Sequence, residues 1–224
     1  MRKNKTTIIF GINALSSLAW YCLENDSSYR VAAFTVNGDY LTNEEYEGLP
    51  VLAFEELERH YPPDSVSLLI PLGWTRINGL RMDRFIDAKS RGYGLISYVS
   101  SRASIWPDLE INENVLIYEH AVVQPFSTIG HNTIVRSSTH ISHHNRIGNH
   151  VFIAAGATLG GNVTIGERAF IGLGAIVRDG VTIAPRTFVG AGAVVTADTE
   201  PDAVYVGNPM KKFAKTAMDV TARS

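Results

Sequence analysis

Beginning at Ile105 and advancing six residues at a time, the chain places Ile105, Ile111, Ile117, Val123, Ile129, Val135, Ile141, Ile147, Ile153, Leu159, Ile165, Ile171, Val177, Ile183, Val189 and Val195. Every step lands on an aliphatic side chain. Such a period fits neither a helix, at about 3.6 residues, nor a lone strand, at about two, so a longer unit is repeated whole. Two positions before the aliphatic residue there is usually a small or β-branched one, as in Val163-Thr164-Ile165 and Ala169-Phe170-Ile171, which gives a short strand with two inward side chains. The remaining pairs, such as Glu113-Asn114, His131-Asn132, Asn149-His150, Gly161-Asn162, Asp179-Gly180 and Ala191-Gly192, are residue types that tolerate positive φ or bond their own backbone. Strand and corner in alternation predict a triangular coil of three hexads.

This pattern resembles the left-handed parallel β-helix of the hexapeptide-repeat acyltransferases, over roughly residues 103 to 206. The spacing predicts a coiled parallel β structure; the left hand is implied by the resemblance. The preceding residues fit a β-α-β opening. Thr6 to Phe10 reads as a buried strand, Gly11 as its turn, Ala14 to Glu24 as a helix and Tyr29 to Val36 as a second strand. A helix around Phe54 to His60, a strand at Val66 to Ile70, a helix around Ile77 to Arg91 and a strand at Leu95 to Val99 follow, an alternation that implies a small parallel sheet. The expected architecture is thus an α/β Rossmann-like domain over 1–102, a β-helix over 103–206 and a tail with a short helix over 207–224.

The order of a Gly11 turn, Gly48-Leu49-Pro50-Val51 and then the β-helix resembles the bacterial sugar acetyltransferases that modify amino-sugar nucleotides or sialic acid in surface-glycan biosynthesis. In that family the first turn reads Gly-x-Gly-Gly-His and the second strand ends in Asp residues that hold the nucleotide. Here the turn is Gly11-Ile12-Asn13-Ala14 and the strand ends Thr35-Val36-Asn37. Gly11, Asn13 and Asn37 are therefore the acceptor-binding candidates. A turn poorer in glycine approaches a pyrophosphate less closely, and packing is the competing role for this domain.

Six of the seven histidines lie in the β-helix, four of them, His140, His143, His144 and His150, close together. Most are expected to be polar cover at solvent-facing corners. The resemblance implies a general base four residues before the Ile-Gly of the next hexad, and His143 stands at that distance from Ile147-Gly148. His144 takes the place of the family's usual acid, and Phe152 the place of a second His. One coil later in the same column, Gly161 is expected to offer a backbone amide to the oxyanion of acetyl-CoA's thioester. The resemblance adds Leu173 and Ala191 as main-chain contacts for the pantetheine arm. Lys211 and Lys212, beyond Val204-Tyr205-Val206-Gly207-Asn208-Pro209, are the candidates for the phosphates of CoA. Corner glycines, including Gly160, Gly161, Gly172, Gly174, Gly190 and Gly192, are expected at positive φ.

A catalytic zinc on several imidazoles, as in carbonic-anhydrase-like relatives, is a competing reading, but the His-x-x-His-His order does not match that family's ligands, and no metal is expected. A non-catalytic trimeric sugar-binding module is the other. A net charge of −2 gives no general attraction to nucleic acid. Arg2, Lys3 and Lys5 before an apolar run from Ile8 to Leu23 imitate a leader, yet Asn13, Ser16 and Ser17 interrupt the run. A strand entering a helix, without membrane insertion, accounts for the same residues. A single Cys22 fits a reducing, cytoplasmic setting. The expected enzyme is a homotrimeric acetyl-CoA-dependent N- or O-acetyltransferase acting on a sugar or nucleotide-sugar acceptor, with the coenzyme between prisms.

Overall fold

A computed structural model of the chain describes residues 5–222. They form two compact units, the first of residues 5–72 and 83–98, the second of 73–82 and 99–222. In the first, β1 (Lys5–Phe10), α1 (Ala14–Asp26), β2 (Tyr29–Val36), β3 (Glu45–Tyr46), β4 (Leu49–Ala53), α2 (Leu57–His60), β5 (Ser67–Leu69) and β6 (Gly94–Leu95) appear in that order, and α3 (Gly79–Ser90) begins at the unit boundary. The sheet order β3-β4-β2-β1-β5-β6 puts β1 at the centre with its neighbours β2 and β5 parallel to it, the doubly wound arrangement. Ile8, Ile9, Ala33, Phe34, Leu68 and Leu69 are wholly buried, as parallel strands covered on both faces should be. Arg2 and Lys3 lie outside the described residues; Ile8 to Leu23 forms β1 and α1.

The second unit is the coil that the hexads require. Two-residue strands from Ser104–Ile105 to Val194–Val195 pair in parallel with the strand eighteen residues on, as in Val123 with Ile141 and Ile141 with Leu159. Side chains at the aliphatic positions and two residues earlier, such as Ala157 with Leu159 and Ala175 with Val177, stack into one interior column whose buried hydrophobic members are 0–4% exposed. The corners are as regular as the strands: every sixth residue from Asn114 to Gly192 has φ between +53° and +73°. Ten of these fourteen left-handed residues are not glycine. Gly160, Gly161, Gly172 and Gly190 were expected at such φ and instead precede the left-handed position. There a Cβ on Gly160 or Gly172 would come within 2.6 Å of backbone in the next coil, so close packing of coils, not φ, demands glycine.

Two departures concern the edges of the second unit. Helix α3 starts at Gly79 rather than Ile77, because Arg76, Ile77 and Asn78 all adopt positive φ. The segment 73–82 groups with the β-helix through Trp74, whose ring packs on Phe152 and Phe170 at 5.3 and 5.1 Å, and through Arg81, which is wholly buried. The Arg81 guanidinium donates to the carbonyls of Gly73, Asn132, His150 and Val151 and to Asn78 Oδ1 at 2.9–3.2 Å, and burial pushes its pKa down to about 9. The chain end holds a strand that the sequence reading missed: Lys211–Thr216 pairs antiparallel with Ala203–Val206, and the helix predicted from Ala214 begins only at Ala217 and runs to Thr221.

Arg81→Met strips a hydrogen-bonded cation from five buried acceptors. The expected loss is about 3 kcal/mol or more of β-helix stability in denaturant unfolding followed by far-UV circular dichroism. A loss under about 0.5 kcal/mol contradicts that role.

Candidate active site

His143 and His144 occupy the corner between Ile141 and Ile147, and three neighbouring coils hold that corner still. From within, buried Asn145 donates to the carbonyls of Ser142 and Gly160 and accepts from Val163 N–H, bracing the turn on the next coil. From the preceding coil, Gln124 Oε1 accepts the His143 N–H at 3.1 Å, and the Phe126 ring lies 4.7 Å from that of His144. From the following coil, Gly161 lies beneath the His143 ring. A Cβ there would stand 2.6 Å from His143 Cε1 and 2.9 Å from Nε2, so only glycine leaves the imidazole its seat.

The two rings meet edge to face at 85° with Nδ1 to Nδ1 at 3.1 Å. One proton serves that contact. With it on His143, His144 accepts, and His143 Nε2 presents a lone pair away from the pair. Both rings are exposed. The arrangement can serve as a general base whose tautomer is set by the hydrogen bond to its neighbour.

Phe126 is the unexpected member. It has φ +64° at a corner where the same column carries His144, Asn162 and Gly180, and its side chain is 68% exposed. A bulky residue held left-handed costs on the order of 1–2 kcal/mol. Beyond it opens a surface pocket of about 310 Å³ lined by Phe126, Thr128, His144, Arg146, Asn162 and Thr164.

Residues 144–178 and 162–197 match the family model described as bacterial transferase hexapeptide (six repeats). Among solved structures, the acetyltransferase domain of PglB from Neisseria gonorrhoeae FA1090 in complex with acetyl coenzyme A is 26% identical, with a TM-score of 0.83 over 94% of this chain and all of that one. PerB from Caulobacter crescentus, in complex with CoA and GDP-perosamine, is 27% identical, with a TM-score of 0.82 over 93% of this chain and 97% of its own. The chain carries the hexapeptide repeat and is similar to these sugar acetyltransferases over nearly its whole length. WeeI from Acinetobacter baumannii AYE, at 23% identity and a TM-score of 0.76, shares the fold. No curated protein matches.

In this chain the remaining candidates fall into separate places. Gly161 N–H donates to Asp179 Oδ1 at 2.7 Å, so in the free protein a carboxylate oxygen already sits where the oxyanion was expected. Leu173 and Ala191 share the vertex between the sheets ending in Ile171 and beginning at Ile176, are exposed, and keep backbone N–H groups without a hydrogen-bond partner among the described residues. Lys211 and Lys212 stand on the exposed final strand, where Lys212 pairs with Glu200. Gly11, Asn13 and Asn37 belong to the first unit, past the ends of β1 and β2. Asn13 caps α1, its Oδ1 accepting from Leu15 and Ser16 N–H, and so uses the amides a phosphate would need. Asn37 bridges Arg84, which donates to its Oδ1, and Glu55, which accepts from its Nδ2 and from Gly38 N–H.

Not every corner faces solvent, contrary to the expectation of polar cover. His150 is 8% exposed and joins a buried ladder in which Asn114 Nδ2 donates to Asn132 Oδ1 and Asn132 Nδ2 to His150 Nδ1, each at 2.7 Å. Among the described residues no three or more His, Cys, Asp or Glu side chains group to hold a metal. Phe152, in the place of the family's second His, is buried between Trp74 and Phe170. The sequence reading missed Gln124, Phe126, Asn145 and Asp179, although Phe126 and Asp179 stand one coil from His144 and Gly161.

Desolvation, followed by the positive charges of Arg81 and Arg168, lowers the His150 pKa to about 4. An unfolded imidazole titrates near about 6.5, so between about pH 6.5 and 4 the unfolded chain binds the extra proton. The contribution of His150, at most about 3 kcal/mol, is complete above about pH 6.5 and is lost as the pH falls to about 4. The expected Cε1–H shift of His150 by NMR is therefore the same at pH 7.5 and 5; a titration midpoint near 6.5 contradicts the buried neutral ring.

Proposed function

We propose that this acetyltransferase moves the acetyl group of acetyl-CoA to the amine of a nucleotide-linked amino sugar, with His143 as general base. The observation that carries the reading is the His143–His144 pair, 3.1 Å apart at one vertex, with Nε2 open and the ring seated on Gly161. The two structures reported above, one holding acetyl coenzyme A and the other CoA and GDP-perosamine, support the choice of both substrates.

The amine nitrogen attacks the thioester carbonyl carbon and forms the C–N bond, while His143 Nε2 takes the proton that the nitrogen gives up. The carbonyl oxygen, now negative, exchanges with Asp179 Oδ1 on the Gly161 N–H. Collapse breaks the C–S bond, and the departing thiolate collects the proton from His143. His144 accepts from His143 Nδ1–H throughout, so the transient imidazolium keeps its orientation. No covalent enzyme intermediate is needed, and no metal takes part; positioning supplies the rest.

The open amides of Leu173 and Ala191 lead the pantetheine arm along the face that ends at Gly161, with Lys211 free to meet phosphate as a point charge. In this reading acceptor recognition falls to the first unit, residues 1–102 in the sequence division, around Gly11, Asn13 and Asn37, and catalysis to 103–206. A single prism leaves His143 exposed, and exposed Leu173 and Ile176, 60% and 47% accessible, suit a second prism against that face. We infer a homotrimer. Among the described residues no helix is long and apolar enough to cross a membrane. A cytoplasmic role in surface-glycan biosynthesis agrees with a lone, half-buried Cys22 that requires no oxidising compartment.

Thiol release from acetyl-CoA with GDP-perosamine, or with a UDP-linked 4-amino sugar, tests the reading. His143→Ala is expected to lower kcat about 10²- to 10⁴-fold with the KM for acetyl-CoA unchanged; turnover equal to the wild type removes His143 from the chemistry.

A further inference from the structure

One hydrogen bond at the His143 vertex carries a charge that the coil does not need. Gly161 N–H donates to Asp179 Oδ1 at 2.7 Å, from one coil further on. The same slot recurs at the corner between Ile129 and Ile134, where His131 N–H donates to Asn149 Oδ1 at 2.9 Å. In both places the residue before the donor is glycine, because a Cβ on Gly130 would stand 2.4 Å from Asn149 Oδ1 and one on Gly160 2.9 Å from Asp179 Cγ. The Asn149 contact shows that a neutral carboxamide is enough to cap such a corner. The carboxylate stands at the vertex to which the chemistry is assigned.

The charge matters because of what else needs that amide. An N–H holds one acceptor in line at about 3 Å, so Asp179 Oδ1 and the thioester oxygen exclude each other. The carboxylate is the stronger acceptor of the two, since its bond is charge-assisted. It also cannot remain while the thioester oxygen turns negative, because two anionic oxygens on one donor repel. Asp179 is able to leave: it is exposed, and among the described residues its carboxylate has no other hydrogen bond or ion pair. A rotation of its side chain opens the amide without moving the backbone. The displaced charge stays beside the site. A neutral thioester carbonyl can share that neighbourhood, whereas a free carboxylate meets a like charge there.

We propose that Asp179 is a displaceable latch on the oxyanion amide: it lowers the affinity for acetyl-CoA and, by its charge, bars small carboxylates such as acetate from the same N–H. The inference rests on the transferase reading and adds which residue selects between a thioester and a free acid at that amide. Asp179 is thus a specificity-determining residue rather than a catalytic one. His143 keeps its seat in either position of the latch, because that seat is the space a Cβ on Gly161 would fill.

Steady-state thiol release from acetyl-CoA on the full chain, with GDP-perosamine or a UDP-linked 4-amino sugar as acceptor, tests this, and melting temperatures confirm folding. Asp179→Ala is expected to lower the KM for acetyl-CoA about tenfold, as for one charge-assisted hydrogen bond no longer displaced, with no fall in kcat. Asp179→Asn, which substitutes the neutral cap seen at Asn149, is expected to lower it about threefold, and it carries the test if the Ala variant does not fold. Added sodium acetate is expected to inhibit Asp179→Ala competitively against acetyl-CoA and to leave the wild type unaffected at the same concentration. Loss of a merely structural cap lowers the melting temperature and kcat without creating that inhibition. An active wild type with the acetyl-CoA KM unchanged or raised in both variants overturns the latch and leaves the transferase reading standing. Equal inhibition of the wild type and Asp179→Ala by acetate overturns it too. A wild type that releases no thiol with either acceptor removes both.

Discussion

Everything in the second unit depends on the vertical fit of one coil on the next. Two-residue strands are too short to hold themselves together, and each acquires its ladder only from the strand eighteen residues away. The fit is possible because a left-handed residue recurs at every sixth position, turning the backbone by the same amount at each corner. Interior residues such as Ile141, Leu159 and Val177 then stack in one column, excluded from water, and their burial offsets the ordering of so many corners.

The same constraint builds the chemistry. Residues one coil apart share a vertex, so the proposed base His143 has its floor at Gly161, whose own amide donates to Asp179 one coil further on. A side chain on Gly161 is forbidden by the imidazole, and a side chain on Gly160 by the backbone of Asp179. Catalytic geometry is therefore fixed by rigid rungs rather than by a flexible loop, which is how preorganised sites keep their reacting groups aligned. The neutral partner distinguishes this vertex. Where a carboxylate would hold the base through its negative charge, His144 holds it through a ring-nitrogen lone pair.

The β-helix was legible in the sequence because its period is written in the interior positions, where hydrophobic choice is strict. The corner position of His143 was legible for a related reason: its place in the hexad was fixed once the register was known. Phe126 and Asp179 were within reach of the same arithmetic, being one coil from His144 and Gly161, but neither residue type announces a role alone. Other features are set by partners far away in the chain. His150 reads as a corner imidazole until Asn132 and Arg81 are placed around it, 18 and 69 residues distant. Phe152 reads as a missing histidine until Trp74 covers it. The final strand was hidden because Lys211 to Thr216 is exposed throughout, and no buried pattern marks it as β.

The central claim is that two imidazoles at one vertex act as a single base, the second by accepting a proton's hydrogen bond. Replacing His144 by Phe keeps an aromatic ring over Phe126 and removes the acceptor, whereas His144→Glu restores an acceptor in another form. The account predicts that kcat for acetyl transfer falls on the order of 10²-fold in His144→Phe and recovers most of that loss in His144→Glu. Equal turnover in His144→Phe and the wild type would contradict it.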